Sequence, residues 1–219
     1  MRRIGLAASI WILGLTYAGG AAADKISASA QIQAGYADGR GVGGAQRDDA
    51  FSEGAAGPAY GARAGIEILF ARAWIEHNQL VSASGLQGTW TQFMAGLGVD
   101  FGLGDERKGM TQGDGGVPKG GYHAYYGEIG IGLGLGVGTG QQVEPPLSNR
   151  QVTDRGFMGR LSLGGGYRLT EELSIGLELP IEAGYLFKSG DDAFANEDDT
   201  HYQSVRAAAL LNFRARLGF

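Results

Sequence analysis

Apolar and polar side chains alternate one by one along most of this chain. The clearest run is GEIGIGLGLGVGTG at 127–140, where Ile131, Leu133, Leu135 and Val137 stand between Gly130, Gly132, Gly134, Gly136 and Gly138. A period of two marks a β-strand with one apolar face, and helical periodicity is almost absent from the rest. Eight strands are predicted, at 25–37, 59–70, 73–82, 89–103, 122–137, 156–169, 173–187 and 202–219. Seven have a clear apolar face. In the second it is Tyr60, Ala62, Ala64, Ile66, Ile68 and Phe70, and in the fourth Phe93, Ala95, Leu97, Val99, Phe101 and Leu103. The third is different: Trp74, Glu76 and Asn78 oppose Ile75, His77 and Gln79, and neither set is apolar enough to fix its facing. Pro180, inside the seventh, removes a ladder donor and predicts a local bulge.

The connections follow a rule of their own. Long, glycine-rich, acidic segments are expected at 38–57, 138–155 and 188–201, and short turns at 71–72 and 170–172. Long loops at one end and tight turns at the other suit a membrane β-barrel. The short connection near 83–88 and the long one at 104–121 depart from it.

Alternation does not say which face is outside. A soluble eight-stranded barrel, such as a lipocalin, turns the apolar face inward, and a membrane barrel turns it toward lipid. Three features favour lipid. A soluble barrel would expose the glycine stripe as an almost uncharged surface, whereas inside a small barrel the same glycines make room for large side chains. Aromatic residues collect at both strand ends, as two interfacial girdles would. Tyr36, Tyr60, Trp90, Phe157, Tyr185, Phe187 and Tyr202 fall near the long-loop end, and Phe70, Trp74, Phe101, Tyr125, Tyr167 and Phe219 near the other. Finally, the sequence closes on LLNFRARLGF, with Phe213, Leu217 and Phe219 on one apolar face. This ending resembles the C-terminal assembly signal of bacterial outer-membrane proteins, and the chain from 24 onward resembles the small outer-membrane β-barrels of OmpA, OmpX and OmpW type. The resemblance implies an all-β fold: an eight-stranded antiparallel up-and-down transmembrane β-barrel. It also implies insertion by the barrel-assembly machinery and contact with outer-membrane lipids and lipopolysaccharide.

Charge and targeting agree with this. Met1-Arg2-Arg3, an apolar stretch from Ile4 to Tyr17 and Ala21-Ala22-Ala23 read as a signal peptide over 1–23, leaving one barrel domain over 24–219. The apolar stretch is too short for a helical span. There is no cysteine, so no disulfide framework is available. The net charge is −5, and loss of Arg2 and Arg3 makes the exported chain more acidic, which argues against a nucleic-acid partner.

With the apolar faces outward, the lumen collects Arg63, Arg160, Arg168, Arg206, Arg214 and Arg216 with Glu67, Asp100, Glu128, Glu178 and Glu182. Arginine's planar fork engages several carboxylates at once. Mixed signs suggest a paired network filling the interior, whereas a selective pore favours rings of one sign. The role expected first is therefore structural or surface-binding. A narrow porin-like conduit for small solutes is the alternative, and an outer-leaflet lipid-modifying enzyme the third reading. For chemistry, His201 in EDDTHYQS, with Asp198, Asp199 and Ser204, is the weak candidate; His77 and His123 carry less. The acidic loop residues Asp48, Asp49, Glu53, Asp191, Asp192 and Glu197 match no calcium-loop spacing, so no metal or cofactor is expected.

Overall fold

The computed structural model of the chain describes residues 26–44, 56–81, 87–107, 122–144, 148–189 and 201–218. Eight strands follow one another around a closed barrel: β1 (Ile26–Gly44), β2 (Gly57–Ile68), β3 (Ala71–Val81), β4 (Gln87–Arg107), β5 (Tyr122–Glu144), β6 (Ser148–Arg168), β7 (Leu173–Ser189) and β8 (His201–Gly218). Each is antiparallel to its neighbours, and β8 pairs with β1 to close the ring. Closure leaves no strand edge along the wall, which hydrocarbon requires because it cannot hydrogen-bond a free backbone.

The registers fix the barrel's shape. A line drawn across the ladders from Ala28 passes through Ile66, Ala73, Ala95, Leu133, Gly159, Ala183 and Val205 and returns to β1 at Arg40, twelve residues further on. With about 3.3 Å per residue and about 4.8 Å between strands, that stagger tilts the strands by about 46° and sets a radius of roughly 9 Å. The interior of such a barrel is filled by side chains.

Strand pairing runs into two of the expected loops. β1 continues to Gly44, and the supposed loop at 138–155 is a hairpin in which Gly140 to Glu144 pairs with Val152 to Ser148. Glycine and polar residues hide this extension from any apolar pattern, because its backbone ladder needs no apolar face. The bulge expected at Pro180 is absent. β6 pairs Ser162 with Pro180, and the β7–β8 register is the same at Glu178–Leu210 and Ile181–Ala207. Pairing lapses between those points, so the missing donor falls on the β8 side. Irregularities lie instead in β4, between Leu103 and Glu106, where Gly104 has φ +76°, and in β1, between Val42 and Gly44.

Aliphatic side chains cover the outer wall. Ile66, Leu97, Ile131, Leu133, Leu161, Leu177, Ile181 and Leu211 are all exposed. Tyr36, Tyr60, Phe157, Tyr185 and Phe187 ring this wall toward the long-loop end, and Phe101, Tyr125 and Tyr167 toward the short-turn end. Tyr125 and Tyr167 meet edge to face, with centroids 5.3 Å apart. On β6 the two rings are marked by Phe157 and Tyr167, ten positions apart. At the tilt above this spans roughly 23 Å along the axis, close to the height of a barrel's apolar band.

Trp74 and Trp90 do not belong to these girdles. Both point into the lumen, and Trp90 is 1% exposed. Trp90 shares the parity of Gln92 and Asp100, and its indole fills the space left by Gly136 and Gly138. Trp74 lies in the same way over Gly132, and Met94 beside Gly134. The glycine stripe of β5 thus accommodates large side chains from β3 and β4. Tyr202 lies in β8, but the placement of its side chain, like Phe219 as a whole, falls outside the described residues.

The β2–β3 turn is tight, with Ile68 paired to Ala71 and Leu69 at φ +57°. Two-residue hairpins favour positive φ, a region that costs an L-residue such as leucine roughly 1 kcal/mol and that asparagine tolerates. Leu69→Asn is expected to stabilise the barrel by roughly 0.5–1 kcal/mol, read as a higher urea midpoint at unchanged slope.

Candidate functional site

The lumen is the site the chain builds with the most charged side chains, and its members come from seven of the eight strands. Strand parity puts them there: wherever aliphatic residues take one face, arginine and carboxylate residues take the other. β3 settles its open facing by turning Arg72, Trp74, Glu76, Asn78 and Leu80 inward and Ile75 and His77 outward. Arg72 and Glu76 are the two members that sequence patterning missed, and both are central.

Two clusters result. Toward the short-turn end, Arg72 meets Asp100 at 2.8 Å and Glu67 at 3.2 Å, and also pairs with Glu128. Arg214 meets Glu128 at 2.8 Å, and Arg216 meets Asp100 at 3.1 Å and Glu67 at 3.4 Å. At mid-barrel, Arg160 meets Glu76 and Glu178, each at 2.7 Å, and Glu182 at 3.1 Å. Arg63 bridges Glu76 at 2.6 Å and Glu178 at 3.0 Å, while Arg206 lies 3.5 Å from Glu182. Each cluster therefore sets three guanidinium groups against three carboxylates, so the buried charge is neutral in each.

Amides complete the bonding that buried carboxylates need. Gln92 Nε2 donates to Glu182 at 2.7 Å, and Gln33 Nε2 and Asn78 Nδ2 donate to Glu76 at 2.9 and 2.5 Å. Gln31 joins the clusters: its Oε1 accepts from Arg214 Nε at 3.1 Å, and its Nε2 donates to Gln33 at 2.7 Å. Arg168 stands apart from both clusters at the short-turn mouth, stacked over Tyr126 at 5.4 Å.

The interior is not ionic throughout. Toward the long-loop end apolar side chains fill much of it, with Leu80, Trp90, Met94, Met158, Leu186 and Leu210 all buried beside the buried Asp154 and Ser204. Arg206 marks the boundary, 4.5 Å over the Trp90 ring. The cavity there, bounded by Ala37, Leu80, Trp90, Glu182 and Arg206 among others, has a volume of about 30 Å³. That is room for a water molecule or two, and too little for a solute.

Of the residues proposed for chemistry, the structure describes the backbone of His201 and the whole of Ser204. Asp198 and Asp199 lie outside the described residues, as do the acidic loop residues Asp48, Asp49, Glu53, Asp191, Asp192 and Glu197. His201 starts β8 opposite Phe187, with a side chain that is not described, while Ser204 turns into the lumen and is 2% exposed. His77 is on the outer wall, hydrogen-bonded to Thr91 at 2.8 Å, and His123 Nδ1 bonds the Gly104 carbonyl oxygen at 2.9 Å. Of the assembly-signal residues, Phe213 and Leu217 face outward on β8.

No known family pattern and no curated protein matches the sequence. Solved structures similar to the chain include Neisserial surface protein A, 13% identical, covering 89% of this chain and 99% of that one with a TM-score of 0.48. Another is the N-terminal β-barrel domain of Pseudomonas aeruginosa OprF, 13% identical, covering 85% and 96% with a TM-score of 0.40. A third is the outer membrane protease OmpT from Escherichia coli, 9% identical, covering 90% and 98% with a TM-score of 0.29. The closed up-and-down topology, the aliphatic outer wall and the neutralised charges within identify the chain as an eight-stranded transmembrane β-barrel, the architecture of the small outer-membrane barrels.

Proposed function

We propose that the chain is an outer-membrane protein with a structural or surface-binding role and a lumen that does not conduct. It is exported by the leader at 1–23 and inserted by the barrel-assembly machinery, which reads Phe213, Leu217 and Phe219. The observation that carries this reading is the blocked interior. Arg160 grips three carboxylates from β3 and β7 across the barrel, and the space above them holds a water or two. A narrow conduit needs a continuous polar path, and the Trp90 layer interrupts one. What remains available to a partner is the long-loop end. There the β5–β6 hairpin reaches Glu144 and Ser148, beyond the last pairings to β4 at Gly88 and to β7 at Ser189.

Planar-bilayer recording tests the closed lumen: a flat current across a range of voltages is expected, and steady unitary openings of the native barrel overturn it. The membrane reading has a separate test. Envelope-extracted protein should need detergent and migrate differently on gels before and after heating, and a water-soluble monomer would contradict it.

A further inference from the structure

One glycine on the outer wall is not required by its surroundings. Gly159 of β6 lies in register with Leu133 of β5 and Ala183 of β7. A Cβ added there meets nothing nearer than Leu133 Cδ2 at 3.5 Å, an ordinary contact. At Gly132, Gly134 and Gly136 the added atom would overlap an indole, a thioether or a backbone oxygen. Glycine weakens a strand, and at Gly159 that cost is borne where a side chain would fit. Beside it, Leu133, Phe157, Ala183, Tyr185 and Val205 line an open, shallow groove on the wall. Leu133 and Phe157, 74% and 67% exposed, are the most exposed large hydrophobic residues among those described.

A cation lies two positions from the groove along β6. Arg155, two positions beyond Phe157 on the same face of β6, is exposed between Val137 and Phe187. Among the described residues no carboxylate pairs with it. It stands at the long-loop edge of the apolar band, where lipid headgroups lie. A guanidinium in that position favours a phosphate, which it can bind through two parallel hydrogen bonds. Gly159 is four residues further into the band, about 9 Å deeper at the strand tilt, among the upper methylenes of a chain whose phosphate rests on Arg155.

From these two features we infer that the outer wall carries a specific lipid site: one acyl chain of an anionic, phosphate-bearing outer-leaflet lipid lies in the groove beside Gly159 with its phosphate on Arg155. The site rests on the outward-apolar reading above, which the detergent and gel tests examine independently.

Native mass spectrometry of the detergent-purified barrel, equilibrated with phosphatidylglycerol or with diacylglycerol of the same chains, tests it. The native barrel is expected to retain one phosphatidylglycerol and no diacylglycerol above background. Gly159→Leu, which adds bulk between the lining residues Leu133 and Ala183, and Arg155→Gln, which removes the charge, should each lower that retention at least fivefold. Ala183→Leu fills the same groove by a second route, and heat-modifiable migration checks that every variant is folded. Unchanged retention in folded variants overturns the site. So does loss in Arg155→Gln alone, which leaves only surface charge, loss in the groove variants alone, or a dimer mass in place of bound lipid.

Discussion

Arg160→Met is expected to destabilise the barrel by about 3–5 kcal/mol, the range for removing one partner from a buried ion pair. The magnitude follows from what is left behind. Glu76, Glu178 and Glu182 are buried at 1%, 2% and 4% exposure, and Arg63 and Arg206 alone would then face three carboxylates. Water cannot compensate, because the adjoining cavity admits a molecule or two. Arg160→Lys should lie between, since one ammonium cannot match a fork that contacts three acids. Adding Glu178→Gln to Arg160→Met should recover part of the loss by removing an uncompensated charge. Urea titration of the refolded barrel, followed by tryptophan fluorescence and gel migration, measures all three. A change below about 1 kcal/mol in Arg160→Met would show that the mid-barrel cluster contributes little.

Gly136→Leu should be at least as disruptive as ordinary overpacking, about 3 kcal/mol or a failure to close. A Cβ at Gly136 falls within the Trp90 indole, and a neighbouring one at Gly134 within reach of Met94. The same substitution at Gly159 adds bulk where the wall is open, so it should leave the urea midpoint nearly unchanged. The contrast separates steric demand from strand propensity, which both variants share. Trp90→Ala should recover most of the loss in the Gly136→Leu background while costing about 3–5 kcal/mol alone through the cavity it leaves. A double-mutant cycle with no coupling between positions 90 and 136 would contradict the packing described here.

Strand number, order of facing and closure were legible because one physical rule produced them: hydrocarbon outside and charge inside, read at a period of two. The rule failed where a strand has no apolar face. In β3, ARAWIEHNQLV carries polar residues on both sides, because His77 and Gln79 sit outward beyond the mid-band and can meet polar surroundings. Arg72 and Glu76 were lost with it. No count of charges reveals them, since one is a cation and the other an anion; only the pairing geometry shows that they bring each cluster to three against three. Trp90 is a different kind of miss. Its parity with Gln92 already placed it inside, and its position near a strand end suggested an interfacial ring instead. The β5–β6 extension was invisible because glycine and glutamine give no facing to read. The groove at Gly159 was equally silent, since only register reveals which glycine faces a neighbour that leaves it room.

Some ion pairs of the lumen join strands that are not neighbours in the ring: Arg63 on β2 reaches Glu178 on β7, Arg160 on β6 reaches Glu76 on β3, and Arg216 on β8 reaches Asp100 on β4. None of these contacts can exist in an open, partly assembled sheet, where the charged face is still hydrated. They form when the first and last strands meet, after most of the ladder is in place. Interactions absent from the transition state slow unfolding without hastening folding. Substitutions that break these cross-barrel pairs should therefore shorten the lifetime of the inserted protein far more than they delay its insertion, which makes persistence in the membrane, more than speed of biogenesis, the property they encode.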